Sequence, residues 1–336
     1  MSLIGNFPQL YYGAGEAAIE MKKRRLGNSN LEVSPLCFGC NVFGWTVKEP
    51  MAFALLDRLL AAGINFIDTA DVYSRWVPGN HGGESETMIG NWLKLSKARD
   101  KMVICTKVGM EMGPDRKGLS KAHIFRSVED SLQRLQSDYI DLYLSHSDDS
   151  ATPFEETLGA YAELMKQGKV RAIGASNHSA PRLREALQAA ERSGLPRYET
   201  LQPSYNIYDR GAYEAELEPL CMEKKVGVFS YFALARGFLT GKYRSEADLS
   251  KSPRGGGIKQ YLNDRGFRIL NALDQTARQK NSTPARVALA WLMARPSITA
   301  PIASATTVEQ LEDLIQATTL ELDSDSIKLL DQASAY

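Results

Sequence analysis

An alternation that begins near Leu36 and repeats eight times constrains this chain more than any other feature. Short apolar runs, several rich in β-branched residues, alternate with longer runs in which apolar residues recur at helical spacing. The short runs read as buried parallel strands at 36–39, 65–68, 102–107, 139–145, 170–174, 200–202, 227–230 and 298–302. The long runs predict helices at 52–62, 84–95, 121–135, 154–167, 182–192, 212–224, 284–294 and 308–317. Strands alternating with helices imply a parallel sheet, and eight such units fit a closed (β/α)8 TIM barrel. An open doubly wound sheet is the alternative, but no G-x-G-x-x-G follows the first strand.

Before the first strand, LGNSNLEVSPL reads as a hairpin turning at Asn28 and Asn30, placed to cap the barrel bottom. Two stretches interrupt the rhythm: 76–83 (WVPGNHGG) after the second strand and 242–266 after the seventh. In a barrel both are long loops on the C-terminal face, where active sites are built. The expectation is one barrel domain over 21–336, preceded at 1–20 by an arm or tag that lies outside the pattern.

Lys plus Arg and Asp plus Glu number 40 each, and no basic stripe is visible, so a nucleic-acid partner is not expected. No apolar run reaches the about 18–20 residues needed to cross a membrane, and the first residues lack the pattern of a signal peptide. Cytoplasmic residence is the expectation. The four cysteines, Cys37, Cys40, Cys105 and Cys221, are too few for a disulfide framework. Cys37 and Cys40 form a C-x-x-C, the pattern of a redox pair or half a zinc site. With no second pair to complete it, they read as residues in and just after an apolar strand, and no metal is expected.

Asp68 ends one predicted strand, Lys107 a second and His146 a third, while Tyr73 follows Asp68 by five residues. Taken singly, each has an ordinary structural reading: a helix cap, a solvated amine, a packed ring. Together they bring a carboxylate, an ammonium, an imidazole and a phenol to one rim of the barrel. A phenol, with an ordinary pKa of about 10, is a weak acid at neutral pH. An ammonium beside it is expected to lower that value, and a carboxylate to hold the ammonium. Tyr73 then reads as a proton donor tuned by Lys107, with Lys107 anchored by Asp68 and His146 set to orient a carbonyl or to share the proton.

The stretches NFIDTADVYS, GGESETMIG, ICTKVG, DYIDLYLSH, GKVRAIGASN, LQPSYNIYDR, ALARGFLTGKY and APIASATTVEQLEDL follow one another along the chain. Over almost its whole length after Met21 the chain resembles the aldo-keto reductase superfamily. The resemblance implies a (β/α)8 barrel with a catalytic tetrad at Asp68, Tyr73, Lys107 and His146, reducing small-molecule carbonyls. It also implies a nicotinamide cofactor, NADP(H) favoured and NAD(H) possible. By the same resemblance Ser176, Asn177 and Gln202 hold the carboxamide and Tyr231 stacks on the ring. Gly39, Asp68, Leu234, Arg236, Gly237 and Lys242 complete that part of the site, and Ser304, Thr306, Gln310 and Asp313 lie near the adenosine 2′-phosphate.

Independently of the resemblance, Thr306 and Glu309 have the spacing of a capping box opening a helix after the last strand. A helix start there offers free N–H groups to a phosphate. Serine and asparagine in GASN also suit a plain helix cap. Two departures from the family pattern stand out. No basic residue lies in 304–309, leaving Lys242, Arg254 or Lys259 to supply charge. The strand-seven motif reads Tyr231, Phe232, Ala233, Leu234 where many members have Tyr-Ser-Pro-Leu. Trp45 and Trp76, in the loops after the first two strands, are candidate walls of a substrate pocket or simply packed loop residues. Three readings compete: a carbonyl reductase, a regulatory module resembling the potassium-channel β-subunit branch, and a barrel aldolase using Lys107 as a Schiff base. Oligomeric state is left open.

Overall fold

The computed structural model describes residues 21–252 and 255–336. The proposed arm at 1–20 and Arg254 lie outside the described residues. Eight strands close into a parallel barrel. They are β3 (Cys37–Gly39), β4 (Phe66–Asp68), β5 (Val103–Val108), β6 (Ile140–Ser145), β7 (Val170–Ser176), β8 (Thr200–Gln202), β9 (Gly227–Ser230) and β10 (Ile298–Ala303). The seam joins the ends of the sheet, pairing Ile302 with Cys37 and Ala303 with Phe38.

The predicted hairpin is β1 (Arg24–Arg25) against β2 (Glu32–Val33), antiparallel. Its Leu26, Leu31 and Val33 belong to the same apolar cluster as Cys37, Phe66, Leu142, Phe229 and Ala300 of the barrel interior. The hairpin therefore plugs the bottom of the barrel and leaves the C-terminal rim as the open end. Arg24 fixes the plug by donating to the carbonyls of Met293, Ile298 and Thr299.

Around the barrel run α1 (Glu49–Ala61), α2 (Glu84–Ser96), α3 (Lys121–Leu135), α4 (Phe154–Lys166), α5 (Ala180–Ser193), α6 (Glu218–Lys224), α7 (Asp264–Gln279), α8 (Pro284–Met293), α9 (Val308–Ala317) and α10 (Ser324–Ser334). α3 shows why these segments are helical. Ser120 caps it by accepting from the His123 N–H, and Ile124, Val128, Leu132 and Leu135 line its buried face. Gln136 ends it in the left-handed region. α2 packs closely on that end because Gly90 has no side chain: a Cβ there would lie 2.1 Å from the Arg134 carbonyl oxygen.

The structure corrects three helical expectations. The run 212–224 is not one α-helix: residues Tyr213–Leu217 form a widened π turn before α6. Pro219 in the first turn of α6 has no N–H to give, so the ladder is re-registered there. The excursion expected to run to 266 ends at Asn263, which caps α7 by accepting from the Gly266 N–H. It contains short 3-10 turns at 246–251, 255–257 and 259–261 rather than irregular chain. Finally, α7 and α10 were not foreseen; they pack on one another outside the barrel layer. None of the described helices is long and apolar enough to cross a membrane.

Candidate active site

Strand register decides what meets at the rim. Gly39, Asp68 and Cys105 lie side by side on β3, β4 and β5, and Lys107 stands one pleat higher on β5. Lys107 and Asp68 are both buried. The Lys107 ammonium lies 2.7 Å from Asp68 Oδ1 and donates to Asp68 Oδ2 (2.8 Å), the Thr69 carbonyl (2.7 Å) and the Tyr73 hydroxyl (3.0 Å). Tyr73 in turn donates to Asp68 Oδ2 at 3.2 Å. His146, at the end of β6, brings its ring centroid to 6.0 Å from that of Tyr73. The four residues singled out in the sequence thus form one cluster.

Burial works to deprotonate Lys107, but the Asp68 carboxylate outweighs it and raises the amine above its ordinary value. An amine held this firmly as ammonium is a poor nucleophile, which argues against a Schiff base on Lys107. Burial pushes the Tyr73 phenol above its ordinary value, and the Asp68 carboxylate adds to this; Lys107 opposes them without prevailing. The expectation that the ammonium makes Tyr73 more acidic is therefore corrected. Burial and Asp68 together outweigh the ammonium, so the protonated phenol is favoured. Burial, reinforced by Lys107, holds His146 well below the usual histidine value, so its ring is neutral. Its buried Nδ1 meets no partner among the described residues.

A continuous set of hydrogen bonds joins this cluster to the far rim. Gln202 Nε2 donates to Asp68 Oδ1 (2.8 Å), and Ser176 Oγ donates to the Gln202 carbonyl (2.9 Å). Asn177 Nδ2 donates to the His146 carbonyl and to Ser176 Oγ, while Tyr231 Oη donates to Asn177 Oδ1 (2.8 Å). Asn177 takes a left-handed backbone (φ 53°) to turn its amide onto this rim.

At the seam, Gly39 leaves an opening beside Ser304: a Cβ at Gly39 would sit 2.7 Å from Ser304 Oγ. Ser304 is held by Asn41, whose Oδ1 accepts its hydroxyl at 2.9 Å. The cap of α9 is Thr307, not Thr306; it accepts from the Gln310 N–H. Gln310 Oε1 instead accepts from the N–H and hydroxyl of Thr306. Asp313 is tied to Arg286 at 2.6 Å, and its neighbour Glu312 to Arg58. After β9 the chain reverses through Phe232, Ala235 and Arg236, all with positive φ, into Gly237. Leu234 lies within this reversal, while Arg236, beside the Tyr261 hydroxyl, and Lys242 make no ion pair among the described residues. Lys259 is spent on Glu246.

Over Tyr73 the indole rings of Trp45 and Trp76 meet edge to face at 5.9 Å, and Trp76 lies 6.0 Å from the Tyr73 ring. Asn80 ties the two loops by donating to the carbonyls of Gly44 and Ser74. Sequence reasoning missed Thr69, which acts through a carbonyl that no side-chain pattern reveals. It also missed Asn41 and the loop of Met110 and Met112, which abuts the Trp76 loop where the Arg75 guanidinium donates to the Glu111 carbonyl. Two methionines in an otherwise polar loop were the available signal.

The aldo/keto reductase family model matches residues 35–335. The chain belongs to that family. Among its relatives is a protein named uncharacterized oxidoreductase YrpG from Bacillus subtilis (strain 168). It is 36% identical over 319 residues, covering 93% of this chain and 95% of that one. A probable voltage-gated potassium channel subunit beta of Arabidopsis thaliana is 34% identical over 307 residues, 88% and 91% of the two chains. L-glyceraldehyde 3-phosphate reductase of Escherichia coli O157:H7 is 30% identical over 325 residues, 93% and 92%.

The aldo/keto reductase family generally uses a nicotinamide dinucleotide on small carbonyl compounds, and the rim of this member suits such a group. Amide and hydroxyl side chains gather at Ser176, Asn177 and Gln202, the backbone opens at Gly39, and Arg236 and Lys242, in and just after the reversal that follows β9, make no ion pair among the described residues.

Proposed function

We propose that this oxidoreductase reduces aldehydes or ketones to alcohols with NAD(P)H, Tyr73 giving the proton. The observation that carries this reading is the Tyr73 hydroxyl, hydrogen-bonded to Lys107 and Asp68 at the open end of the barrel, where burial favours its protonated form. A reduced nicotinamide, when bound, supplies the hydride. Ser176, Asn177 and Gln202 would hold its carboxamide, with Tyr231 against the ring. Gly39, Leu234, Arg236, Gly237 and Lys242 would take the middle of the dinucleotide, and Ser304, Thr306 and Gln310 its adenosine end. Asp313, already paired, would serve there only through Arg286.

Tyr73 transfers its proton to the substrate oxygen as charge develops on it. The phenolate left behind lies 3.0 Å from the Lys107 ammonium, which stabilises it. Neutral His146 has one N–H with which to orient the same oxygen. Reduction of a panel of short, phosphorylated, aromatic and dicarbonyl substrates, followed by NADPH and NADH consumption, tests the reading. Both guanidiniums touching α9 are already paired, so NADPH is expected to be preferred only modestly, with dissociation constants within about tenfold. A preference beyond about a hundredfold would reveal a further cation at the 2′-phosphate. Tight cofactor binding with no turnover on any substrate would favour a regulatory module, the reading the channel-subunit relative supports.

Trp76 is 49% exposed at the mouth, next to Trp45 and Tyr73. Trp76→Ala is expected to raise KM for aromatic aldehydes roughly tenfold and leave that for short aldehydes nearly unchanged. Equal effects on both classes would remove Trp76 from the pocket wall.

A further inference from the structure

Behind Lys107, on the outer side of the barrel wall, lies a buried charge cluster that the reaction does not use. Asp71 sits in the turn between Asp68 and Tyr73 and is 1% exposed. Neither of its carboxyl oxygens makes a well-aligned hydrogen bond among the described residues, although the Val72 N–H lies near. Glu86 of α2 faces it, fully buried, and accepts from Thr106 Oγ1 (2.5 Å) and Arg134 Nε (2.7 Å). The guanidinium of α3 is thus spent on Glu86, and the Lys107 ammonium on Asp68 inside the barrel. From β6 and α4 the phenols of Tyr143 and Tyr161 face it, and the Tyr143 hydroxyl also has no partner among the described residues. Two carboxyls therefore share one guanidinium in a buried layer. Two like charges placed this way cannot both ionise cheaply.

Resting on the reductase reading, we propose that Asp71 is a positioning residue. As a neutral acid it seats the Thr69–Tyr73 turn against the barrel wall, and its ionisation unseats that turn and slows reduction. The geometry links the two events directly. The same turn carries the Thr69 carbonyl that receives Lys107 and the backbone bond from the Tyr73 N–H to the Ala70 carbonyl. Burial, then Glu86, raises the Asp71 carboxyl to about 8. The folded state thus holds its proton more tightly than the unfolded chain does, where a carboxyl titrates near about 4. The resulting stability is complete below about 4 and is lost as pH rises through about 8.

Three readouts across pH 6–9 test this: melting temperature of the cofactor-free protein, the fluorescence of Trp76 (wild type minus Trp76→Phe), and kcat/KM at saturating cofactor. Wild type should show a break near 8 in all three, kcat/KM falling about tenfold from pH 7 to 9, as loss of one required proton demands. Asp71→Asn, neutral and of equal size, should abolish the break and retain activity at pH 7 within about twofold. Glu86→Gln should move the break to lower pH. A break that persists in Asp71→Asn, or none in melting and fluorescence, overturns the proposal. Breaks in melting and fluorescence without turnover of any carbonyl would sustain the seating role and count against the reductase reading alone.

Discussion

Replacing Tyr73 by phenylalanine is expected to lower kcat by about 10²–10⁴, the usual worth of a placed proton donor, while cofactor affinity stays within about a factor of two. The separation follows from the structure. The substitution removes one hydroxyl and its bonds to Asp68 and Lys107, yet Lys107 keeps Asp68 and the Thr69 carbonyl. The Ser176, Asn177 and Gln202 set does not touch Tyr73. Stopped-flow turnover and fluorescence titration of the cofactor read the two effects apart. Turnover near that of wild type would remove Tyr73 from the chemistry.

Lys107→Met is expected to abolish turnover and to destabilise the fold by about 3–5 kcal/mol, because it strands a buried carboxylate. For a chain of this length that corresponds to a melting temperature lower by roughly 6 °C. Among the described residues Asp68 would retain Tyr73, Gln202 and the Cys105 thiol, all uncharged. Combining it with Asp68→Asn removes the stranded charge. The double variant should therefore be more stable than the sum of the singles predicts, by about 1–3 kcal/mol. Additive losses would show that the two charges do not stabilise each other in the folded protein.

How far the sequence discloses the site depends on what carries each contact. Asp68, Lys107 and His146 were legible because a polar side chain ending an apolar strand is conspicuous, and strand order brings three consecutive ends together. The eight strands were legible for the same reason. α7 escaped although Asn263 is a good cap and Ile269, Leu270, Leu273 and Ala277 keep helical spacing; the glycine-rich run before it masked the start. The one-residue shift from Thr306 to Thr307 at α9 is invisible in TTVEQ, where both threonines suit a cap and Gln310 outcompetes Glu309. The direction of the Tyr73 shift was hidden because it depends first on burial of the phenol and then on the Asp68 charge beside it, and only the fold reveals either. Asp71 carried no signal, since an aspartate in a turn is ordinary until the turn is found to be buried.

The seam between β10 and β3 gives the molecule a kinetic character. It is closed by contacts between residues more than 260 positions apart, with Arg24 spanning 275 to Thr299 and Ser304 spanning 263 to Asn41. Contacts of such high order pay their loop-closure entropy before anything repays it, so they form late in folding. Gly39 and Ser304 face one another across that seam, and their corner is absent from any open precursor. A ligand that rests there recognises only the closed ring. If the proposed cofactor is that ligand, its concentration would act as a thermodynamic clasp, adding RT ln(1 + [L]/Kd) to the stability of the closed form.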